Sequence, residues 1–228
     1  MIVSRDNEKL TLVRKLHERR WREKLGLFVC EGEDLVAAAT AEPVELLVAG
    51  DNVEPRLLAQ VSTAPHPPRV IAVYRRADLP AAAPRAATLA LWRVADPGNV
   101  GTLVRTADAF GAAVALSDGC ADPTGPKALR ASAGSIWRVP LLPFELDGGP
   151  LRGRTRVALS ARGAEPLGRV DLGGVIVFLL GAEREGLPPE LPHDVEARIP
   201  IEGPESLNVA VAGAIALYEW RRQNPNGL

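Results

Sequence analysis

Near the N-terminus the apolar Leu10, Val13, Leu16 and Trp21, with Arg20 beside them, fall near one another at helical spacing. The pattern predicts one amphipathic helix over 7–25, opened by Asn7 as an N-cap and stopped by Gly26. Short apolar runs at 27–30, 44–49 and 70–74 then read as strands, with helical stretches at 33–40 and 56–60 between them. Residues 1–76 are thus expected to form a small α/β unit. The segment ADLPAAAPRAA at 77–87 sets Pro80 and Pro84 among small residues, which suits a semi-stiff linker. From 88 to 228, apolar runs at 88–94, 113–117, 137–142, 157–160, 175–180 and 197–201 alternate with helical patterns at 101–110, 127–135 and 207–223. Such alternation predicts a parallel sheet covered by helices.

Composition narrows the class without changing this picture. The chain is 46% hydrophobic and 24% charged, and Gly and Pro together stay below the roughly 25% at which disorder becomes the default. Its longest apolar run, 175–180, is far too short for a membrane helix, so neither spanning nor secretion is expected. Cys30 and Cys120 stand apart with no CxxC partner and no histidine cluster; both are expected to be reduced core residues of a cytoplasmic protein, with no metal site. A formal charge of −1 hides an uneven distribution. Residues 1–24 carry eight basic side chains against four acidic ones, a surplus that suits phosphate as well as a solvated helix face. The candidate phosphate contacts there are Arg14, Lys15, Arg19, Arg20, Arg22 and Lys24, with Arg130, Arg152, Arg154 and Arg156 as further candidates.

In open parallel sheets ligands bind beyond the carboxyl ends of the strands, which directs attention to the loops after each apolar run. Three stand out. DPGNVGTLVRT at 96–106 leads from a strand into a helix and presents Asn99 and Arg105. GAEREGL at 181–187 follows the most hydrophobic strand; Gly181 permits close backbone approach and Glu183 stands at the sheet edge. IPIEGPESLN at 199–208 again enters a helix, with Ser206 as a candidate N-cap and Asn208 in the first helical turn, where its amide can point into a site.

Taken together and in order, DPGNVGTLVRTADAFGA at 96–112, LLGAEREGLP at 179–188 and IPIEGPESLNVAVAGAIALYEW at 199–220 resemble the SpoU/TrmH family of RNA 2′-O-ribose methyltransferases, part of the SPOUT superfamily. LHERRWREKLGLFVCEGEDLV at 16–36 is similar to the L30e-like substrate-binding domain often fused to them. The resemblance implies a SPOUT α/β domain at 88–228 with a C-terminal trefoil knot, S-adenosylmethionine as cofactor, ribosomal RNA as substrate, and a homodimer. It implies polar site residues at Asn99, Arg105, Glu183, Ser206 and Asn208, and cofactor contacts from Gly181, Ile199, Ile201 and Leu207. The stretch from Gly203 to Ser206 is one residue shorter than the family's usual form.

Methyl transfer to a hydroxyl is an in-line displacement that needs alignment and stabilisation of charge on the oxygen. An arginine is not a simple general base at neutral pH, so Arg105 is expected to act electrostatically. Ser206 and Asn208 then orient the ribose, Asn99 braces its loop, and Glu183 accepts hydrogen bonds that fix the second loop. Transfer RNA methylation, an antibiotic-resistance ribosomal RNA methylation, and a non-catalytic RNA-binding or ribosome assembly role are the alternatives. Neither GxGxxG after an early strand nor a P-loop occurs, which weighs against a dinucleotide- or nucleotide-dependent enzyme.

Overall fold

The computed structural model describes residues 1–146, 149–202 and 205–225. The N-terminal helix expected over 7–25 is two helices, α1 (Glu8–Leu16) and α2 (Arg19–Leu25). Asn7 caps α1 as expected, its side chain accepting the Lys9 amide at 3.0 Å. The break is caused by Arg22. Its guanidinium donates to the carbonyls of Leu16 and His17 at 2.8 and 2.9 Å, capping the end of α1. In one continuous helix those carbonyls would be taken by the amides of residues 20 and 21. Gly26, at φ 64, then ends α2.

β1 (Leu27–Glu31), α3 (Glu33–Ala37), β2 (Glu45–Val48), α4 (Pro55–Val61) and β3 (Val70–Arg75) follow. The strands form an antiparallel sheet in the order β1-β3-β2. α1 and α4 bury Leu10, Val13, Leu16 and Leu58 against Val29, Leu47 and Val73 of this sheet.

The remaining elements are β4 (Ala87–Leu91), α5 (Pro97–Phe110), β5 (Ala113–Leu116), α6 (Pro126–Ser132), β6 (Leu141–Pro143), β7 (Thr155–Leu159), β8 (Glu165–Pro166), β9 (Ile176–Leu180), β10 (Val195–Arg198) and α7 (Val209–Gln223). Their strands form a seven-stranded sheet in the order β6-β5-β4-β9-β7-β10-β8, parallel at every pairing, as the alternating pattern predicts. Every residue of β4 and β9 is buried, as a sheet covered on both faces requires.

Two boundaries depart from expectation for the same reason. The helix expected over 127–135 stops at Ser132, with Ala133 and Gly134 at φ 48 and 83. A Cβ on Gly134 would lie 2.4 Å from Ala38 Cβ, so the stop is where the N-terminal sheet unit seats. The strand expected from 137 begins only at Leu141, because Trp137 turns its ring into that junction, 5.6 Å from Phe28 and 4.8 Å from Tyr74. Beside this apolar junction lies a polar one. Arg22 Nε donates to Asp122 Oδ2 at 2.8 Å, Arg76 approaches Asp122 Oδ1 at 3.4 Å, and Thr124 donates to the same oxygen at 2.7 Å. Burial alone would raise the Asp122 carboxyl, but the Thr124 hydrogen bonds and the two guanidinium groups hold it below the ordinary aspartate value.

Candidate active site

β4, β9 and β10 all end at the same edge of the parallel sheet, and the loops that leave this edge carry the three motifs. α5 starts at Pro97, four residues before the expected 101, with Asp96 as its cap. Asp96 Oδ1 accepts the Asn99 amide at 3.0 Å while its other oxygen takes Lys127 Nζ at 2.9 Å. The Lys127 hydrogen bond, helped by the Asn99 amide, holds this carboxyl below the usual aspartate range. Asn99 is thereby fixed in the first turn of the helix.

The second loop is a tight hairpin closed by the Gly186 amide on the Ala182 carbonyl at 2.9 Å. Gly186 sits at φ 69, and a Cβ on Gly181 would lie 2.2 Å from the Gly186 carbonyl carbon, so the loop tolerates no side chain at 181. This geometry holds Glu183 over the N-terminus of α5. In the third loop the helix cap is Asn208, not Ser206: Asn208 Oδ1 accepts the amides of Ala210 and Val211 at 2.8 and 3.3 Å, and α7 begins at Val209.

These three side chains are in contact. Asn208 Nδ2 donates to Asn99 Oδ1 at 3.0 Å, and Asn99 Nδ2 donates to Glu183 Oε1 at 2.7 Å. The orientation of both amides follows from the ends of the chain. Capping consumes the oxygen of Asn208 and leaves its NH₂ for Asn99, which must then accept there and donate to the carboxylate. One hydrogen-bonded line therefore joins all three motifs along a cleft of about 690 Å³, which Arg93, Asp96 and Gly119 also line.

The other predicted residues sit apart from this line. Arg105 is exposed on α5, six residues and about 9 Å of helical rise beyond Asn99, and bonds to nothing among the described residues. Ser206 is exposed. Gly181 follows β9, while Ile199 and Ile201 follow β10, two strands away across β7; Ile199 and Leu207 are half-buried and Ile201 is 39% exposed. Gly203, in the shortened stretch, lies outside the described residues.

Of the basic N-terminal residues, Arg22 needs correction: at 4% exposure, bonded to Asp122 and two carbonyls, it joins the two sheet units and has no surface left for RNA. Lys15, Arg20 and Lys24 instead surround the Trp21 ring at 5.0, 5.6 and 5.1 Å from its centroid. Arg14 donates to the Arg5 carbonyl, and Arg19 pairs with Glu23 and reaches the Cys120 carbonyl. Arg130 donates to Thr63 Oγ1 at 3.1 Å, Arg154 to the Arg85 carbonyl and Arg156 to the Pro192 carbonyl. Cys30 and Cys120 are buried and free. No metal-ligating cluster occurs, and no helix is long and apolar enough to cross a membrane, among the described residues.

Sequence reasoning missed the role of Asp96 and Lys127. The Asp-Pro pair was the available signal, since an N-cap followed by Pro at the first helical position marks a helix start.

Residues 86–218 match the SpoU rRNA Methylase family. The 23S rRNA (guanosine(2553)-2′-O)-methyltransferase RlmP of Bacillus subtilis (strain 168) is 32% identical over 245 aligned positions, covering 96% of this chain and 98% of its own length. Among solved structures, an AdoMet-bound rRNA methyltransferase from Sinorhizobium meliloti superimposes with a TM-score of 0.86 at 28% identity, covering 97% of each chain. An RNA 2′-O ribose methyltransferase superimposes with a TM-score of 0.82 at 26% identity, over 98% of this chain and 99% of that one. The chain belongs to the SpoU rRNA methylase family.

Proposed function

We infer that this protein transfers a methyl group from S-adenosylmethionine to a ribose 2′-hydroxyl of ribosomal RNA. The observation that carries the reading is the line from Asn208 through Asn99 to Glu183, which ties together the three motifs of a family whose Bacillus relative acts on a ribose of 23S rRNA. The strand-end residues suit the cofactor: Gly181, Ile199, Ile201 and Leu207 combine backbone donors and acceptors with partly exposed aliphatic side chains, the surface an adenosyl group needs. When bound there, S-adenosylmethionine supplies an electrophilic methyl group on a sulfonium.

The chain's own residues supply alignment. Asn99, braced by Asp96 and Glu183, and Asn208, held by its capping bonds, form a fixed polar row against which Ser206 orients the ribose. Arg105 offers a guanidinium to the charge that develops on the 2′ oxygen. Its distance from Asn99 along α5 suits a site completed by a second copy of the chain. An apolar groove between α5 and α7 starts at Asn99 and Asn208 and runs past Phe110, Val211 and Tyr218, of which Val211 and Tyr218 are 47% and 61% exposed. A homodimer that covers this groove encloses the polar row. Lys15, Arg19, Arg20 and Lys24 gather structured RNA through its phosphates. The buried free thiols suit a reducing cytoplasm.

The test is transfer of a tritiated methyl group from the cofactor to ribosomal RNA from cells that lack this protein, followed by alkaline hydrolysis. Methylation of the 2′-oxygen leaves the label in an alkali-resistant dinucleotide. Label in a base, or no label in any RNA, overturns the reading.

A further inference from the structure

Arg93 follows β4 at the rim of the cleft, and its backbone stands at φ 54, in the left-handed region that disfavours any residue with a Cβ. Neighbouring contacts enforce the turn. The Trp92 amide donates to the Leu180 carbonyl at 2.8 Å, the Arg93 amide to Ser117 Oγ at 2.9 Å, and the Val94 carbonyl accepts the Ala121 amide at 2.9 Å. Glycine would satisfy every one of these bonds without strain, so they do not explain an arginine.

The side chain is accommodated from across the cleft as well. It lies over Gly119, where a Cβ would come within 3.3 Å of Arg93 Cγ and 3.4 Å of Nε. Its guanidinium approaches Glu185 at 3.6 Å, and the two side chains are 56% and 72% exposed. A pair this open and this long is readily exchanged for another anion. The remaining carboxylates of the cleft are committed, Asp96 to Lys127 and Glu183 to Asn99. Ala182, Glu183, Arg184 and Glu185 of the second loop line this cleft together with Arg93, whereas Gly181, Ile199, Ile201 and Leu207, the expected cofactor contacts, do not.

We propose that Arg93 is a substrate-binding residue that exchanges Glu185 for an RNA phosphate next to the target ribose, so that a strained arginine is kept where glycine fits the backbone better. The inference rests on the RNA methylation reading and adds to it a specific phosphate contact at the mouth of the cleft.

Two substitutions separate binding from backbone effects. Arg93→Ala removes the charge and keeps the strained Cβ, whereas Arg93→Gly removes both. Both raise the KM for RNA, by about tenfold, and lower the salt slope of RNA binding by about one phosphate, with the loss in KM rather than kcat. Only Arg93→Gly raises the melting temperature above that of the wild type. The KM for S-adenosylmethionine stays unchanged in both. Wild-type RNA affinity and salt slope in Arg93→Ala overturn the proposal, as does a loss confined to the cofactor KM. Failure of the wild-type protein to methylate RNA refutes the underlying reading instead, and filter binding of unmethylated RNA to the same variants still decides the phosphate contact.

Discussion

Asn208 performs two tasks with two ends of one amide, and substitution can divide them. Its oxygen caps α7 through Ala210 and Val211, while its NH₂ supports Asn99 at 3.0 Å. Asn208→Asp keeps an oxygen cap of comparable quality at a helix N-terminus, where negative charge is favoured, but has no donor for Asn99. Asn208→Ala loses both. Loss of a cap costs about 1 kcal/mol. For a chain of this size that lowers Tm by roughly 2–4 °C. The aspartate variant is therefore expected to melt within about 1 °C of the wild type and the alanine variant a few degrees lower. Activity divides differently. A carboxylate facing Asn99 Oδ1 forces that amide to flip or withdraw, which in turn removes its hydrogen bond to Glu183, and displacement of a positioning group by about 1 Å costs on the order of 100-fold in rate. Both variants should thus lose kcat to a similar degree while only one loses stability. Calorimetry and single-turnover methyl transfer at saturating cofactor and RNA are the assays. An aspartate variant with wild-type kcat would refute the positioning role of the line.

Four further outcomes follow from the same geometry. Asp122→Ala leaves Arg22 buried without its carboxylate and is expected to destabilise the chain by about 3–5 kcal/mol, read as a fall in the urea midpoint; Arg22→Met should cost less, because Asp122 keeps Arg76 and Thr124. Gly101→Ala drives a Cβ to 2.3 Å from the Ala128 carbonyl, so α5 and α6 must part and Tm should fall by several degrees. Burial alone would raise the Glu31 carboxyl, but His17, Ser62 and Thr63 outweigh it and pull it down to about 2. A depressed carboxyl stabilises above its unfolded value, roughly 4.3, and that contribution disappears as pH falls toward 2; a urea midpoint that holds steady between pH 5 and pH 2.5 contradicts this. Tyr218→Glu and Val211→Lys place charge in the groove between α5 and α7 and should shift the sedimentation coefficient toward the monomer, with wild-type sedimentation counting against the dimer.

Much of the architecture was legible because two periodicities dominate it. β5 and β9 are short and apolar throughout and β4 departs only at Thr88, the mark of strands buried on both faces, whereas β7 opens on Thr155 and Arg156; a helix separates β4 from β5. The three motif loops were legible for a related reason, since each lies directly after such a run. What could not be read were contacts between distant segments. Arg22 has the spacing of a solvated basic residue, and only Asp122, a hundred positions away, makes it a buried strut that splits the first helix. Trp137 looks like the start of a strand until Phe28 and Tyr74 claim its ring. Asn208 competes locally with Ser206 for the cap, and the bond to Asn99 favours the residue that can both cap and donate. Arg93 carries no mark in the sequence at all, because its positive φ arises from loops on either side of it.

The central claim is that the three loops align a ribose oxygen. Once the methylated nucleotide is mapped, RNA carrying a 2′-deoxy substitution at that position alone provides the most direct test. It should bind with an affinity close to that of the unmodified RNA and accept no methyl group. Label incorporated into the deoxy-substituted nucleotide would mean that the oxygen is not the acceptor and would contradict the account.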